Sequence, residues 1–499
     1  MEKTFLLDGK YINIPVKMGK EEYITEFFIE GEKFTELNIP VDKSQEGAYE
    51  CDFYAQIPFE KFKNKELIIK GDLSESFLEA VYCTDEKVEV DSKRPKIHFT
   101  TGTGWTNDPN GLVYKDGVYH LYFQYNPVNT IWNNMSWGHA VSKDLLHWEQ
   151  KDIVMLPDED GDMFSGSAIV NDRKMLGLSE DALVFFYTAA EVKEWTKGKQ
   201  YTQKLAYSTD GGESLVKIKK PCVPTIKFDN RDPKVFWHEE SNAYVMVLWI
   251  EEQDFAVLRS TDLENWEETD RFHLDGGWEC PDLFELKAPD GSSKWFFWCA
   301  QGYYFTGEFD GYKFKSDGTK RPAYVNEIPY AAQTYSNTGD RRISIPWIRY
   351  ENDGRFFTGA CGIPVEFSCD ANYNLIQKPV KELMESAVEI DSHKGECMVS
   401  DNALVVEMSG SNVTGDTVSW KINGTDVAYF SKEGIFKVGQ EQYSVLAGCD
   451  NFKMIIDDRI LEVFFNDGQM MGTFDLKNKE VSFDVENQIW DEIKIYEIR

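Results

Sequence analysis

Residues 119–124 read YHLYFQ, and this short aromatic and apolar run decides the fold class because it recurs along the chain. The further copies are residues 183–188 (LVFFYT), 244–250 (YVMVLWI) and 295–300 (WFFWCA). Short runs of this composition, broken by Gly, Asn and Asp, predict β-strands, and long amphipathic helical periodicity is scarce. We therefore predict an all-β fold.

Two other series of residues accompany these runs. A Ser-x-Asp triplet follows three of them, at residues 142–144, 208–210 and 260–262. The second series consists of the dipeptides Asp108-Pro109, Ser165-Gly166, Asp232-Pro233, Asp282-Leu283 and Gln333-Thr334. Successive dipeptides of this second series are roughly 50 to 67 residues apart. This spacing predicts five repeated units, each a four-stranded blade, and hence a five-bladed β-propeller. The alternative is a chance similarity of strand spacings in a β-rich chain.

The two ends of the chain have different patterns. Short alternating strands in residues 1–92 predict a small, sandwich-like N-terminal β domain, and the charged stretch 91–96 (DSKRPK) predicts a linker to the propeller at 93–385. Longer alternating strands in residues 386–499 predict a C-terminal β-sandwich, in which Asp467-Gly468 signals a hairpin turn. A chain of 499 residues is long enough for three such domains.

The composition narrows the class of partner. The chain has 53 Lys and Arg residues against 86 Asp and Glu residues, which gives a net charge of −33. Such a chain repels phosphate backbones and anionic lipids, so we expect a neutral substrate and neither nucleic acid nor a membrane as partner. The oligomeric state is left open.

The nine Cys residues are widely spread, without a CxxC pair and without His residues at metal-ligand spacing. This pattern favours reduced thiols and predicts neither a metal site nor a cofactor. The first 16 residues show no secretory signal, and no apolar run is long enough for a membrane-spanning helix. The expected location is the cytoplasm, or outside the cell if a leader was removed.

Three acidic residues lie in distinctive local sequence motifs, each in a different predicted blade. They are Asp108 in WTNDPNG, Asp232 in RDPKVF and Glu279 in ECPDLFE. The Pro that follows each acid, directly or after one residue, fixes an extended start to the strand, so the acids point in predictable directions. Glycoside hydrolysis needs one carboxylic acid to protonate the leaving oxygen and a second carboxylate to attack or to activate water. A lone Asp-Pro is an ordinary turn signal, but three acids at blade spacing favour an active site.

On these motifs the sequence resembles glycoside hydrolase family 32, the β-fructosidases that include invertases, inulinases and levanases. The resemblance also rests on residues 123–127 (FQYNP), 134–148 (NMSWGHAVSKDLLHW) and 164–168 (FSGSA). It covers about residues 95–499. A five-bladed propeller followed by a β-sandwich is the fold that the resemblance implies.

The resemblance also implies a retaining mechanism and a role for each acid. Asp108 would be the nucleophile, Glu279 the general acid and then base, and Asp232, beside Arg231, the stabiliser that holds fructose hydroxyls. The carboxyl groups of Asp108 and Glu279 would lie about 5 to 5.5 Å apart. Glu279 has to keep its proton while Asp108 stays ionised, which neighbouring carboxylates and burial would support. The pocket for the terminal fructosyl unit would be formed by Asn107, Gln124, Trp132, Phe164 and Ser165.

One motif bears on the substrate. The sequence of residues 134–139 (NMSWGH) is more similar to that of exo-acting fructanases than to that of sucrose-phosphate hydrolases, which tend to have Met-His-Trp there. We therefore expect release of terminal fructose from β-fructans and fructo-oligosaccharides, with sucrose as an additional substrate. The alternatives are a sucrose or sucrose-phosphate hydrolase, a fructosyltransferase and a non-catalytic fructan-binding protein. The sequence does not distinguish β-2,1 from β-2,6 linkages.

Several other features have structural interpretations. Cys280 is predicted to be a small buried strand residue, and the alternative is that it helps to set the acidity of Glu279. His120 and His139 are predicted to be hydrogen-bonded core residues, and the acidic stretch 158–162 (DEDGD) a solvated loop instead of a calcium site. The N-terminal domain either packs against the propeller or a partner subunit, or binds a glycan.

Overall fold

The computed structural model describes residues 1–88, 93–391, 398–410, 417–485 and 490–498. Within these ranges the helices are α1 (Glu75–Ala80) and α2 (Lys381–Glu385), with 3₁₀ turns at Glu60–Phe62, Met175–Gly177 and Glu194–Thr196. All other regular structure in the described ranges is β-strand, arranged in nine sheets. The prediction of an all-β protein is confirmed. No described helix combines the length and the apolar character that crossing a membrane requires.

The amino-terminal unit, residues 1–88, consists of two sheets around one core. Its strands are β1 (Glu2–Leu6), β2 (Tyr11–Val16), β3 (Glu22–Ile29), β4 (Glu32–Pro40), β5 (Phe53–Pro58), β6 (Glu66–Gly71) and β7 (Tyr82–Thr84). The first sheet has the order β1-β6-β3-β4 and the second β5-β2-β7, both antiparallel. Alternate residues of β5 are buried, as period-two alternation predicts, and Ile14, Phe27 and Leu37 lie in the shared core. The predicted domain boundary at residue 92 lies outside the described residues.

Five sheets follow between residues 104 and 379, and their main strands are antiparallel. The strands of the first three are β8 (Gly104–Lys115), β9 (Val118–Asn126), β10 (Ser136–Ser142), β11 (Glu149–Gln150), β12 (Asp162–Val170), β13 (Leu183–Ala190), β14 (Thr202–Ser208), β15 (Val216–Lys217), β16 (Arg231–His238), β17 (Ala243–Glu251), β18 (Asp254–Ser260) and β19 (Glu267–His273). Those of the last two are β20 (Asp282–Lys287), β21 (Ser293–Cys299), β22 (Tyr303–Phe309), β23 (Phe314–Ser316), β24 (Arg321–Pro322), β25 (Pro329–Thr334), β26 (Ile343–Ile348), β27 (Phe357–Thr358), β28 (Ala360–Cys361), β29 (Val365–Cys369) and β30 (Leu375–Pro379). The four main strands of each sheet lie side by side in chain order, while β27 joins the first sheet in parallel beside β8.

The recurring sequence elements occupy equivalent positions in these sheets. The four apolar runs lie in β9, β13, β17 and β21, each the second strand of its sheet. The first three of these strands are buried almost throughout on both faces, and β21 is buried from Phe296 onward, which explains why they read as continuous apolar runs and not as alternating ones. In the Ser-x-Asp triplets after β10, β14 and β18, the Ser hydroxyl donates to the Asp carboxylate at 3.0, 2.6 and 3.1 Å. The sheets therefore repeat one turn as well as one strand pattern.

The first strands of the five sheets contact one another. The contacts are Gly166 N to Asn110 Oδ1 at 3.2 Å, Ser167 Oγ to Pro233 O at 2.7 Å, Lys234 Nζ to Asp282 Oδ2 at 3.1 Å, Thr334 N to Asp282 Oδ2 at 2.7 Å and Ser336 N to Leu112 O at 3.0 Å. They join β8 to β12, β12 to β16, β16 to β20 and β20 to β25, and the residues just after β25 back to β8. These contacts bring the first strands of the five sheets together.

The carboxy-terminal region forms two six-stranded sheets. Its strands are β31 (Ala387–Asp391), β32 (Met398–Ser400), β33 (Leu404–Ser409), β34 (Thr417–Ile422), β35 (Thr425–Phe430), β36 (Ile435–Val438), β37 (Glu441–Ser444), β38 (Asn451–Asp457), β39 (Ile460–Phe465), β40 (Met470–Asp475), β41 (Val481–Val485) and β42 (Glu492–Ile498). The sheet orders are β31-β42-β33-β38-β39-β40 and β32-β41-β34-β35-β36-β37. Trp420 and Phe436 of one sheet share a buried core with Phe452 and Phe465 of the other. The turn between β39 and β40 has positive φ at Asp467 and Gly468, as the hairpin signal predicts.

A buried histidine joins this region to the middle sheets. His98 Nδ1 lies 2.9 Å from Asp457 Oδ2, and its Nε2 lies 3.5 Å from Glu462 Oε2. Asp457 also accepts the backbone N–H groups of Lys96, Ile97 and His98 at 2.8 to 3.0 Å. The segment that leads into the first middle sheet is therefore fixed to β38. Of the nine cysteines, the eight that lie in the described ranges are free thiols, and Cys397 lies outside them.

Candidate active site

One cavity of about 460 Å³ brings together every side chain predicted for the site. The predicted residues in its wall are Asn107, Asp108, Gln124, Trp132, Phe164, Ser165, Arg231, Asp232 and Glu279. They come from β8, β9, β12 and β16, from the loop before β10 and from the segment before β20. Residues that the sequence did not single out complete the wall, namely Tyr201, Phe228, Asp229, Tyr330 and Trp347.

The cavity lies where the first strands depart from regular pairing. Pairing is interrupted between Thr106 and Pro109 in β8, between Phe164 and Gly166 in β12, between Arg231 and Lys234 in β16, and between Tyr330 and Gln333 in β25. A β-bulge turns a side chain out of the regular alternation and is common beside active sites. Pro109 and Pro233 lack the N–H that regular pairing uses, so their positions suit an interruption. Asp108, Ser165 and Asp232 lie within these interruptions, and their side chains line the same cavity as Tyr330, which precedes the fourth one.

Asp108 is half-buried and held on both carboxylate oxygens. Ser165 Oγ donates to its Oδ2 at 2.6 Å, and Asn107 Nδ2 donates to its Oδ1 at 3.2 Å. Burial raises the pKa of Asp108, the hydrogen bond from Ser165 opposes that rise, and the charge of Glu279 adds to it. The pair Asn107 and Ser165 therefore both orients the carboxylate and favours its charged form.

Asp232 is almost completely buried and adopts a left-handed backbone conformation, with φ of 67°. That conformation costs an Asp residue about 1 kcal/mol, a strain that the neighbouring contacts hold in place. Its backbone N–H donates to Thr188 Oγ1 at 3.1 Å, and its Oδ2 accepts the N–H of Cys280 at 3.0 Å. Burial raises the pKa of Asp232, Arg231 opposes the rise, and the charges of Glu279 and Asp108 reinforce it.

Both oxygens of Glu279 have partners from other sheets. Arg231 donates to Oε2 through Nε at 3.1 Å and through Nη2 at 2.7 Å, and the Tyr330 hydroxyl donates to Oε1 at 2.7 Å. The Arg231 guanidinium also lies 4.1 Å from the centre of the Trp249 ring, a cation–π contact that fixes its plane. Tyr330 was not predicted from the sequence because it belongs to none of the acidic motifs, although it lies three residues before the fifth dipeptide.

Cys280 differs from its predicted place in a strand, because β20 begins only at Asp282 and Cys280 has φ of 44°. It is buried as predicted, and its Sγ lies 3.5 Å from Asp108 Oδ2 and 3.4 Å from Asp232 Oδ2. Burial and the adjacent carboxylates hold the pKa of the thiol well above its usual value. Cys280 is therefore a neutral, weak donor between two acids.

A row of aromatic rings forms one side of the cavity. Trp132, Phe164, Tyr201 and Phe228 follow one another with ring-centre distances of 6.1, 5.7 and 5.6 Å. Trp132 and Phe228, at the two ends, are 47% and 59% exposed. Aromatic faces of this kind pack well against the apolar faces of sugar rings. Tyr201 and Phe228 were not found from the sequence because no recurring motif contains them.

The interpretation of His120 and His139 as hydrogen-bonded core residues is confirmed. His120 Nδ1 lies 3.1 Å from His139 Nε2, and the two rings are stacked. Burial lowers the pKa of His120 to about 4 and that of His139 well below its usual value, so both are neutral.

The interpretation of stretch 158–162 as a solvated loop is wrong for Asp162, which is fully buried and accepts Met135 N at 3.0 Å. Asp158 pairs with Lys217 at 2.8 Å, and Asp160 pairs with Lys204. These lysines, far along the chain, neutralise the acids of the loop, which local sequence could not indicate.

Comparisons with known proteins identify the family that the middle part of the chain matches. The family model described as the glycosyl hydrolases family 32 N-terminal domain matches residues 98–379. A levanase of Bacillus subtilis (strain 168) is 38% identical over 327 residues, covering 58% of this chain and 47% of the levanase. An invertase of Debaryomyces hansenii is 36% identical over 275 residues, covering 51% of this chain and 52% of the invertase. This chain thus spans about half the length of these curated relatives.

Solved structures show the same likeness. The crystal structure of an exo-inulinase from Aspergillus awamori superposes with a TM-score of 0.74 at 26% identity, covering 83% of this chain and 99% of the inulinase. The matched part is larger than the 98–379 range, so the likeness includes sheets outside the region of the acids.

Proposed function

The chain belongs to glycoside hydrolase family 32, and from this premise we propose that it is a retaining β-fructosidase that releases terminal fructose from β-fructans and fructo-oligosaccharides. Sucrose is an additional substrate in this proposal. The observation that carries the proposal is the convergence of Asp108, Asp232 and Glu279 on one sugar-sized cavity. Two carboxyl groups across a scissile bond are what glycoside hydrolysis requires.

The reaction takes place in two steps. In the first, an Asp108 carboxylate oxygen bonds to the anomeric carbon of the terminal fructosyl unit while the bond from that carbon to the glycosidic oxygen breaks. Glu279 gives its proton to the departing oxygen. In the second step Glu279 takes a proton from water, whose oxygen bonds to the anomeric carbon, and the bond to Asp108 breaks. Fructose leaves with its configuration retained, and both carboxyl groups return to their starting states.

The remaining polar groups hold the reacting ones in place. Arg231 and Tyr330 bind separate oxygens of Glu279, which limits the direction in which that acid delivers its proton. Asp232 accepts hydrogen bonds from fructose hydroxyls in this proposal. Its carboxylate also stabilises the positive charge that develops on the sugar in the oxocarbenium-like transition state.

For the fold, we propose that the five sheets between residues 104 and 379 are blades of a five-bladed propeller, followed by a β-sandwich. The hydrogen bonds that link each first strand to the next support this arrangement. The blade starts then surround the axis, where the three acids lie.

The aromatic row favours a fructan or fructo-oligosaccharide over sucrose or sucrose phosphate as the main substrate. Phe228, at the more exposed end of the row, offers an aromatic face that a sugar attached to the terminal fructose would contact in this proposal. Fructosyl transfer shares the covalent intermediate and differs only in the acceptor, which is a sugar instead of water. A non-catalytic binding protein would not need all three acids. It would bind the sugar without releasing fructose, whereas the proposed enzyme releases it.

The test is incubation of the purified protein with sucrose, kestose, inulin and levan, with product sizes followed over time. The proposal predicts fructose as the sole early product from the fructans. Early release of larger fragments would show endo cleavage, and growth of oligosaccharides at high sucrose would show transfer. Absence of any released sugar would indicate a binding protein, and each of these three outcomes would contradict the proposal.

A further inference from the structure

The loop between β9 and β10 carries a large aromatic residue of the cavity wall on an exposed tip. Ile131 and Trp132 are 52% and 47% exposed, and Trp132 lines the cavity. The segment from residue 127 to residue 135 contains no helix or strand that would fix the tip. From the end of β9, Asn126 Nδ2 donates to Ile131 O at 2.9 Å. Further anchors of the loop come from the amino-terminal unit.

Glu22, the first residue of β3, clamps the loop on both sides of its tip. Its Oε1 accepts Asn129 Nδ2 at 2.7 Å, and its Oε2 accepts Asn133 Nδ2 at 2.7 Å. Hydrogen bonds to a carboxylate are about twice as strong as those between neutral groups. Because one carboxylate binds residues on either side of Ile131 and Trp132, it holds the base of the tip closed.

The edge strand β4 supplies a second anchor. Asn38 N donates to Asn134 Oδ1 at 2.8 Å, and Asn134 Nδ2 donates to Asn38 O at 3.0 Å. The side-chain amide of Asn134 thus satisfies the backbone groups that the edge of a sheet leaves open. Lys193 Nζ reaches the same Oδ1 at 2.6 Å, and Asn134 is fully buried.

Strand β4 makes two further contacts with segments outside the amino-terminal unit. Thr35 Oγ1 donates to Pro157 O at 2.8 Å, and Lys33 Nζ lies 4.3 Å from the Trp195 ring centre. The amino-terminal unit therefore packs against the middle sheets, one of the two roles that the sequence left open for it. The hydrogen bonds that hold Asp108, Asp232 and Glu279 come from the middle sheets, so the contribution of the unit concerns the wall of the pocket.

We propose that Glu22 is a positioning residue for substrate binding, which acts through Asn129 and Asn133 to hold Trp132 in the cavity wall. The amino-terminal unit then supports the wall of the substrate pocket from outside, through the loop that carries Trp132. This inference rests on the proposed fructosidase function for its kinetic consequences. Loss of the clamp is expected to weaken binding of the sugar, because Trp132 is no longer held in the cavity wall. The chemical step is expected to change little, because the reacting carboxyl groups keep all their partners.

The kinetic test compares Glu22→Ala and Trp132→Ala with the double variant, using sucrose and kestose. We expect Glu22→Ala to raise KM about tenfold while kcat stays within about twofold, the scale of a lost charged hydrogen-bond pair. If Glu22 acts through Trp132, adding Glu22→Ala to Trp132→Ala causes little further loss. Asp52→Ala is the matched control, since Asp52 binds Lys17 and Met18 inside the same unit and contacts no residue of the loop.

Hydrogen–deuterium exchange of residues 127–135 tests the clamp independently of activity. Faster exchange of this segment in Glu22→Ala, but not in Asp52→Ala, is expected even if the protein hydrolyses no fructan, which separates failure of this inference from failure of the proposed function. Unchanged exchange would overturn the inference. So would an equal KM increase in Asp52→Ala, or losses that simply add in the double variant.

Discussion

At the scale of single residues, the site depends on how each carboxyl group is supported. Asp108 accepts from Asn107, from Ser165 and weakly from the Cys280 thiol, and Glu279 has three donor atoms on its two oxygens. Asp232 is held by the backbone N–H and the thiol of Cys280 and by burial. Because the three carboxyl groups have different sets of supporting residues, removing one such residue is expected to change the pKa or the orientation of the carboxyl group that it contacts.

Ser165→Ala is expected to shift the acidic limb of the pH profile. The hydrogen bond from Ser165 lowers the pKa of Asp108, so its loss raises that pKa. The nucleophile has to be ionised, and the fall of kcat/KM on acidification therefore begins at higher pH in the variant. The measurement is kcat/KM for sucrose from pH 4 to pH 8. An unchanged acidic limb would contradict the assignment, and Ser214→Ala, on an exposed turn, is the control.

Phe228→Ala is expected to reduce kcat/KM for kestose and longer oligosaccharides by about tenfold, and for sucrose by less than about threefold. The exposed ring offers stacking area to sugars beyond the terminal unit, and such aromatic contacts contribute about 1 kcal/mol. Steady-state kinetics on the oligosaccharide series checks the ratio. Tyr312→Ala removes another exposed aromatic ring that does not line the cavity and should leave it unchanged. Equal losses on all substrates would argue against a role in chain recognition.

At the scale of elements, the bulges in the first strands decide where the side chains point. Gly166 makes the bulge in β12 possible, because a Cβ at this position would lie 1.8 Å from Phe186 O and 2.8 Å from Phe186 C. Both are backbone atoms of the neighbouring strand, so no side-chain rotation relieves the overlap.

Gly166→Ala is accordingly expected to destabilise the protein by about 3 kcal/mol and to displace Ser165 from Asp108, with at least a tenfold loss of kcat/KM. Thermal unfolding and sucrose kinetics measure the two effects. Gly102→Ala is the control, since its Cβ would meet only the Gln150 side chain at 3.9 Å. A variant with wild-type stability and activity would refute the proposed function of the bulge.

Sequence patterns identified the second strand of four sheets because burial of both faces leaves an apolar run that local reading detects. They also identified the acids, since Pro marks the start of each strand. They could not identify Tyr201, Phe228 or the clamp at Glu22. These residues acquire their roles through contacts across 27 to 111 positions, which no local pattern records.

At the scale of the whole molecule, His98 connects the middle sheets to the carboxy-terminal ones. Burial disfavours its charged form, but Asp457 and Glu462 outweigh burial and raise the pKa to about 9. A raised pKa stabilises the folded state fully below the unfolded value of about 6.5, and this stabilisation is lost as the pH rises through about 9.

His98→Gln should therefore flatten the pH dependence of stability between pH 6.5 and pH 9. The wild type is expected to lose on the order of 3 kcal/mol over this range from this group. Urea unfolding at several pH values measures the difference. His147→Gln, in an exposed pair with Asp144, serves as the control. A wild-type stability that does not fall on this rise in pH would contradict the charged state of His98.

The three acids and the order of the reaction can be tested together by trapping the covalent intermediate. Glu279→Gln lacks the base that frees the sugar, so an aryl fructoside with a good leaving group should load the enzyme faster than water unloads it. Peptide mass spectrometry is predicted to find one fructosyl residue attached to the peptide that contains Asp108, and none in Asp108→Asn/Glu279→Gln. Attachment at Asp232, or no attachment while fructose is still released, would contradict the account.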